Sequence, residues 1–338
     1  MNPVFRWLHS HLIDFTGIFV IGIVIYLVSM SQFVGSELSI HIPTSFQQLN
    51  MIFLSILIEA IPFVLIGVLI AGFIQIFITE DHIRRWIPKN KFLAVMMSCV
   101  VGALFPACEC GIVPIVRRLV AKGVPIYAGV GFLLTGPLIN PIVILSTYMA
   151  FGNDLKMAAL RMGIGFVAAL VIALIISQLF KSNQLKHSLS EVTQSMDQPK
   201  KHHSFINKID EMLKHSIDEF FDMGKYLIIG AFVAAFLQTY VSAKSLFLFG
   251  EGVIGSTIVM MGLAYFLSLC SEADAFIGAS FRHLFPSTSI LAFLVYGPMI
   301  DLKNTFMLLS VFKTRFVFVL LILITFIVFI CTQVTIWI

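Results

Sequence analysis

Phe105-Pro106-Ala107-Cys108-Glu109-Cys110-Gly111 interrupts an apolar run over residues 92–151, and Cys270-Ser271-Glu272-Ala273-Asp274 interrupts a second over 253–312. Each run breaks again further on, at Gly136-Pro137-Leu138-Ile139-Asn140-Pro141 and at Gly297-Pro298-Met299-Ile300-Asp301. Proline removes a helical hydrogen bond, and glycine loosens the backbone. Inside lipid such breaks survive only where protein or a water-filled cavity satisfies the freed N–H and C=O groups. The four breaks are therefore expected to face the interior of a membrane protein.

Composition supplies the lipid setting. The 338 residues are 59% hydrophobic and 12% charged, with a mean hydropathy of +0.98. A soluble domain carries about 25% charged residues. A helix needs about 20 apolar residues to cross the hydrocarbon, and such spans lie near 11–30, 49–78, 155–180, 219–240 and 316–337. The first, Ile13–Met30, lacks a strongly basic leader and a small-residue cleavage site, so it reads as a retained span. The five cysteines all lie in apolar surroundings, which argues against a disulfide framework. Cys99 and Cys331 read as small hydrophobes. Residues 181–204 form the one long polar segment. Beyond it Ile206, Ile209, Leu213, Ile217 and Phe220 recur at helical spacing, the pattern of an amphipathic helix on the membrane surface.

The two halves resemble each other. Glu59–Gln75 aligns without gaps on Asp222–Gln238, placing Ile66, Gly67, Ala71, Phe73 and Gln75 on Ile229, Gly230, Ala234, Phe236 and Gln238. Cys108 then falls on Cys270, Gly136-Pro137 on Gly297-Pro298, and Asn140 on Asp301, with two single-residue gaps. Lysine and arginine suggest the orientation. An N-terminus inside puts Arg84, Arg85, Lys89, Lys91, Arg117, Arg118 and Lys122 on the cytoplasmic side, with the six lysines from Lys181 to Lys214 and with Lys313 and Arg315. Lys156, Arg161, Lys244 and Arg282 fall outside or near it, while Lys225 and Lys303 are assigned to neither side. The second half then runs opposite to the first, as in many secondary transporters. The expected fold is all-α and polytopic, with two inverted repeats, each holding a re-entrant or broken-helix hairpin, plus one extra N-terminal helix. Residues 1–48 hold that helix and an external loop, 49–180 the first repeat, 181–218 a cytoplasmic linker and amphipathic helix, and 219–338 the second repeat. The expected location is a bacterial plasma membrane, with the C-terminus outside.

An ionisable group inside the membrane costs about 2.5–3.5 kcal/mol on insertion scales, which makes each one a candidate. Glu109, Glu272, Asp274 and Asp301 are the best placed. Cys108-Glu109-Cys110 and Cys270-Ser271-Glu272-Ala273-Asp274 sit at the tips of the two hairpins, which should meet near the midplane. Together they offer thiols for a soft metal and carboxylates for a cation or a proton. Cys108, Cys110, Cys270 and Glu272 are the candidate metal ligands, the metal being a solute such as zinc rather than a cofactor. The structural alternative is packing for the thiols and a protonated, backbone-bonded carboxyl for the acids. Asn140 and Asp301 follow Gly-Pro breaks, where either can bind solute or cap a half-helix. Glu59 and Asp222 recur near expected helix starts, where the macrodipole alone accounts for an acid. No phosphate loop, nucleotide motif or Ser/His/Asp arrangement is visible, and neither an enzymatic role nor a nucleic-acid partner is expected. The expected partners are the bilayer, a small solute and a second membrane subunit.

The run Phe105–Pro114, the run Gly136–Pro141 and Ser271-Glu272-Ala273-Asp274-Ala275-Phe276 together resemble a bacterial family of predicted permeases. That family includes the ArsP organoarsenical efflux permeases and YraQ/YcgR-like proteins, and Cys270-Ser271-Glu272 is similar to the YcgR-like branch. The resemblance covers nearly the whole chain from about residue 50. It implies a multi-pass plasma-membrane permease and pairing with a second membrane protein, and leaves the substrate open: Cys108 and Cys110 match a motif that the arsenical exporters, which use thiols for trivalent arsenic, share with other members. The resulting expectation is a permease exporting a small thiophilic solute, with Cys108, Cys110 and Cys270 on the solute and Glu109, Glu272 and Asp274 binding it or exchanging protons. Its rivals are a non-transporting scaffold of an envelope complex and a redox enzyme built on the Cys108/Cys110 pair.

Overall fold

The computed structural model describes residues 44–79, 83, 87–88, 90–180, 182, 184–186, 205–240 and 252–335. The span expected at 11–30 and most of the linker lie outside them. Two compact units divide the chain, Met1–Gln48 and Leu49–Ile338, and all packing below belongs to the second.

Twelve helices are present among the described residues. They are α1 (Thr44–Phe77), α2 (Lys91–Ala103), α3 (Glu109–Ala121), α4 (Ile126–Ile139), α5 (Pro141–Ala150), α6 (Leu155–Leu179), α7 (Phe205–Tyr240), α8 (Gly252–Leu267), α9 (Ser271–Ser280), α10 (Ser287–Met299), α11 (Leu302–Val311) and α12 (Thr314–Val334). Five stretches are long and apolar enough to cross a membrane: Thr44–Phe77, Ile126–Ala150, Leu155–Leu179, Ile209–Tyr240 and Thr314–Val334. The amphipathic segment and the following span form one continuous helix, α7, because no proline interrupts residues 205–240. Each expected break ends one helix and starts another.

Caps place those starts. Asn140 Oδ1 accepts from Val143 N at 2.9 Å, with Pro141 pre-set for the first turn of α5. Asp301 Oδ1 accepts from Asn304 N at 2.5 Å at the start of α11. Cys270 Sγ accepts from Ala273 N at 3.4 Å at the start of α9.

The element order α1–α6 recurs as α7–α12, and much of the packing recurs with it. α4 packs on α2, α3 and α6, as α10 packs on α8, α9 and α12. Between the halves α3 meets α11 while α5 meets α9, and the repeat exchanges those pairs. α4 touches its counterpart α10, and α6 touches α12. Nearly every residue of α4 and α10 is buried, as expected of helices apolar all round. Outer helices show apolar stripes instead, such as Phe318, Ile322, Phe326 and Ile330 along α12. In water this pattern would drive association; in lipid it is a solvated face.

The Gly-Pro glycines have a packing role that recurs. A Cβ on Gly136 would collide with the Ile112 side chain from α3, and one on Gly297 would lie 2.7 Å from Asp274 Oδ2 of α9. Ile112 and Asp274 are each the fourth residue of their helix. The same glycine notch thus receives an aliphatic group in one half and a carboxyl in the other.

Candidate functional site

Four broken helices pair inside the protein: α3 against α11 and α9 against α5. Each start exposes unsatisfied N–H groups and a partial positive charge. Glu109, the first residue of α3, points Oε1 at Lys303 Nζ on the first turn of α11, 3.1 Å away. Lys303 Nζ also lies 3.6 Å from Asp301 Oδ2 and donates to Ser268 O at 3.4 Å. Ser268 belongs to the break between α8 and α9 and has φ of 47°. The two hairpin tips therefore meet across a single ammonium group, which neutralises Glu109 and binds the other tip's backbone.

The second convergence has its own cation. Arg161 of α6 donates through Nη1 to Thr147 Oγ1 on α5 at 2.6 Å and through Nη2 to Ser271 O on α9 at 3.0 Å. Asp274, Glu272 and Cys270 are its acidic or thiol neighbours. Asp274 in turn has Glu109, Asp301 and Lys303 among its charged neighbours, which joins the two convergences into one cluster. Its members are 1% exposed for Glu109, Arg161, Asp274 and Asp301 and 4% for Lys303, so bulk water does not screen them.

Several polar atoms in the cluster lack a hydrogen-bond partner among the described residues. They are Glu109 Oε2, both oxygens of Asp274, Asp301 Oδ2, the Asn304 amide, Ser271 Oγ and Arg161 Nε. A buried polar group without a partner costs about 1–3 kcal/mol, more when charged. Their concentration in one place makes the cluster a candidate for holding a proton, an ion or a polar solute.

The expected site residues distribute unevenly. Cys108 and Cys110 flank Glu109 and are buried; both thiols lie among the neighbours of Lys303. Cys270 is half-buried, and its thiol neighbours the Glu59 carboxyl. Glu272 is half-buried on the Arg161 side. Among the described residues no three His, Cys, Asp or Glu side chains converge as a metal site, so Cys108, Cys110, Cys270 and Glu272 are not gathered around one point. Asn140 is engaged at both ends of its amide, accepting from Val143 N and donating to Gly136 O at 3.5 Å. Asp301 caps α11 with one oxygen and faces Lys303 with the other. The macrodipole account of Glu59 and Asp222 fails, because both sit in the middle of long helices, beyond the first turn where that effect operates.

Lys303 and Arg161 are the site residues that sequence reasoning misses. Arg161 lies seven positions into α6, where the sequence pattern allows it to reach the outer surface. It turns inward because α6 packs against α5, and the guanidinium bridges to α9. The available signal is charge balance: carboxylates at three interior breaks require cations within reach.

Residues 45–336 match a family described as predicted permease, ArsP_1. The chain belongs to this family. UPF0718 protein YcgR of Bacillus subtilis is 53% identical to this chain over 282 residues, covering 82% of the chain and 93% of that protein. A Streptococcus mutans protein, provisionally named a two-component membrane permease complex subunit, is 43% identical over 277 residues, covering 82% and 91%. UPF0718 protein MJ0584 of Methanocaldococcus jannaschii is 29% identical over 127 residues, covering 37% of the chain and 34% of that protein. No solved structure matches. Family and relatives point to a membrane permease rather than an enzyme.

Proposed function

We propose that this permease is a secondary exporter of a small thiophilic solute, acting in a bacterial plasma membrane together with a second membrane subunit. Its working site is the cluster of Glu109, Asp274, Asp301, Lys303 and Arg161. The observation that carries the proposal is the set of unpartnered carboxyl oxygens where two pairs of broken helices meet. Transporters with discontinuous helices bind solute and coupling ions in such places, and two halves of opposite sense supply alternating access. The exchanged packing of α3–α11 and α5–α9 supports this reading. The partner subunit rests on the name of the Streptococcus relative.

Cys108 and Cys110 supply sulfur on either side of Glu109, and Cys270 supplies it at the other break. A bare zinc ion takes four protein ligands in a closed site and three in an open one. The dispersal of the thiols and acids favours a solute satisfied by one or two sulfurs, such as an organometalloid. Asp274, with neither oxygen hydrogen-bonded, is the candidate proton carrier.

Elemental analysis of cells lacking their own metal and arsenical exporters, loaded with soft metals and trivalent organoarsenicals, tests this. The unaltered chain should deplete one solute, Cys108→Ser with Cys110→Ser should abolish the depletion, and Asp274→Asn should leave exchange but remove proton-driven accumulation in vesicles. Unchanged export by the serine variant would eliminate the thiol role. No depletion by well-inserted chain, even with its co-purifying membrane proteins, would favour the scaffold reading.

A further inference from the structure

A polar cavity that shares no lining residue with the central cluster lies among α3, α7, α11 and the segment after α6. It holds about 300 Å³ and is lined by Arg117, Lys186, Asp222, Lys225, Tyr226 and Ser310 among others. These residues come from the C-terminal half of α3, the segment after α6, the middle of α7 and the last turn of α11. The segment carrying Lys186 is fixed, not loose. Leu185 pairs with Phe312 in an antiparallel bridge, Lys186 N donates to Val311 O at 3.1 Å, and Lys313 N donates to Gln184 O at 2.9 Å.

The cavity is electropositive. Arg117 and Arg118 share the buried Glu219 at 3.1 and 2.7 Å, and Lys225 pairs with Asp222 at 2.8 Å. The side chain of Lys186 has no carboxylate partner among the described residues. Among the described residues, Arg117, Arg118, Lys186 and Lys225 stand against Glu219 and Asp222, an excess of two positive charges. Tyr226 lines the same space, and the Ser310 hydroxyl donates to Met307 O at 2.6 Å. Lys225 also heads a lipid-facing stripe. Ile229, Phe232 and Phe236 follow it at spacings of four, three and four residues, and all three are exposed. Polar residues crowd α7 before Lys225 and nearly vanish after it, so Lys225 marks the level at which α7 enters hydrocarbon.

We propose that this cavity binds the phosphate headgroup of an anionic phospholipid, whose acyl chains run down α7 along Ile229, Phe232 and Phe236. Basic pockets between spans at a membrane face are suited to such headgroups. Lys186, whose side chain has no carboxylate partner among the described residues, and Lys225, whose pair with Asp222 is half-exposed, are the discriminating contacts; Arg117 and Arg118 are held by the buried Glu219.

Native mass spectrometry of the full-length protein, offered equal phosphatidylglycerol and phosphatidylcholine of identical chains, tests the proposal. Each lysine near an anionic headgroup contributes roughly fivefold in binding, or about thirtyfold for the pair. The unaltered protein should retain phosphatidylglycerol preferentially, and K186Q with K225Q should reduce that preference by about thirtyfold without changing phosphatidylcholine retention. Equal retention of the two lipids by the unaltered protein, or an unchanged preference in the double variant, would overturn it. Glycerol phosphate and inorganic phosphate form a further arm. If either binds as tightly as the whole lipid, the cavity is a soluble-phosphate site and the lipid assignment fails. Should the double variant not elute as a folded species, K186Q alone is expected to lose about fivefold, and the comparison of lipids on the unaltered protein decides independently.

Discussion

Lys303→Ala should destabilise the protein by about 3–5 kcal/mol, the usual cost of stranding one member of a buried ion pair. The ammonium reaches Glu109, Asp301 and the Ser268 carbonyl from a position 4% exposed. Without it two carboxyls face each other with no cation, and the hairpin tips lose the group that joins them. Glu109→Gln alone should cost less, because Lys303 keeps Asp301 and Ser268. Lys303→Ala combined with Glu109→Gln should recover part of the loss. Attraction between contacting charges gives coupling of about 0.5–3 kcal/mol in such cycles. Recovery should be incomplete, because Asp301 Oδ2 then has no cation nearby. Thermal unfolding in detergent, read as midpoint shifts at fixed scan rate, measures all four corners of the cycle. Strict additivity would show that Lys303 and Glu109 do not interact in solution.

The legible part of the site was the part written in exceptions to a strong pattern. Glycine, proline and acids inside apolar runs stand out, so the breaks expected at Phe105–Gly111, Gly136–Pro141, Cys270–Asp274 and Gly297–Asp301 each overlap or adjoin a junction between two helices. Capping chemistry was legible for the same reason: Asn140 and Asp301 immediately follow Gly-Pro breaks, and both prove to be N-caps. The cations were not. A lysine or arginine near the end of a span is equally well explained by snorkelling to the headgroups, and nothing local to Arg161 or Lys303 separates the two outcomes. Only the packing of α6 on α5 and of α11 on α3 turns them inward. Glu59 failed for a related reason. Its meaning depends on where α1 begins, and that start lies fifteen residues earlier than the acid, at Thr44.

The helix crossings at glycine make the site's geometry sensitive to a single methyl group. Gly67→Ala should destabilise the protein by about 1–3 kcal/mol, the cost of overpacking, and impair transport. A Cβ on Gly67 would collide with the backbone of Gly111, and one on Gly111 would lie 2.9 Å from Phe63 O, so α1 and α3 cross backbone on backbone. Small residues permit such approach between membrane helices. No side chain there can rotate aside; one helix must move. Gly111 is two residues from Glu109, so a displacement of α3 shifts the carboxylate against Lys303 and loosens the 3.1 Å contact. Gly163→Ala is the matched control. A Cβ there meets nothing within 4 Å, and the exchange should stabilise α6 by roughly 0.5–1 kcal/mol through helix propensity. Midpoints that fall for Gly67→Ala and rise or hold for Gly163→Ala would establish that the α1–α3 crossing, rather than glycine as such, sets the position of Glu109. Equal behaviour of the two variants would mean that α1 adjusts freely, and that the site is held from the α11 side alone.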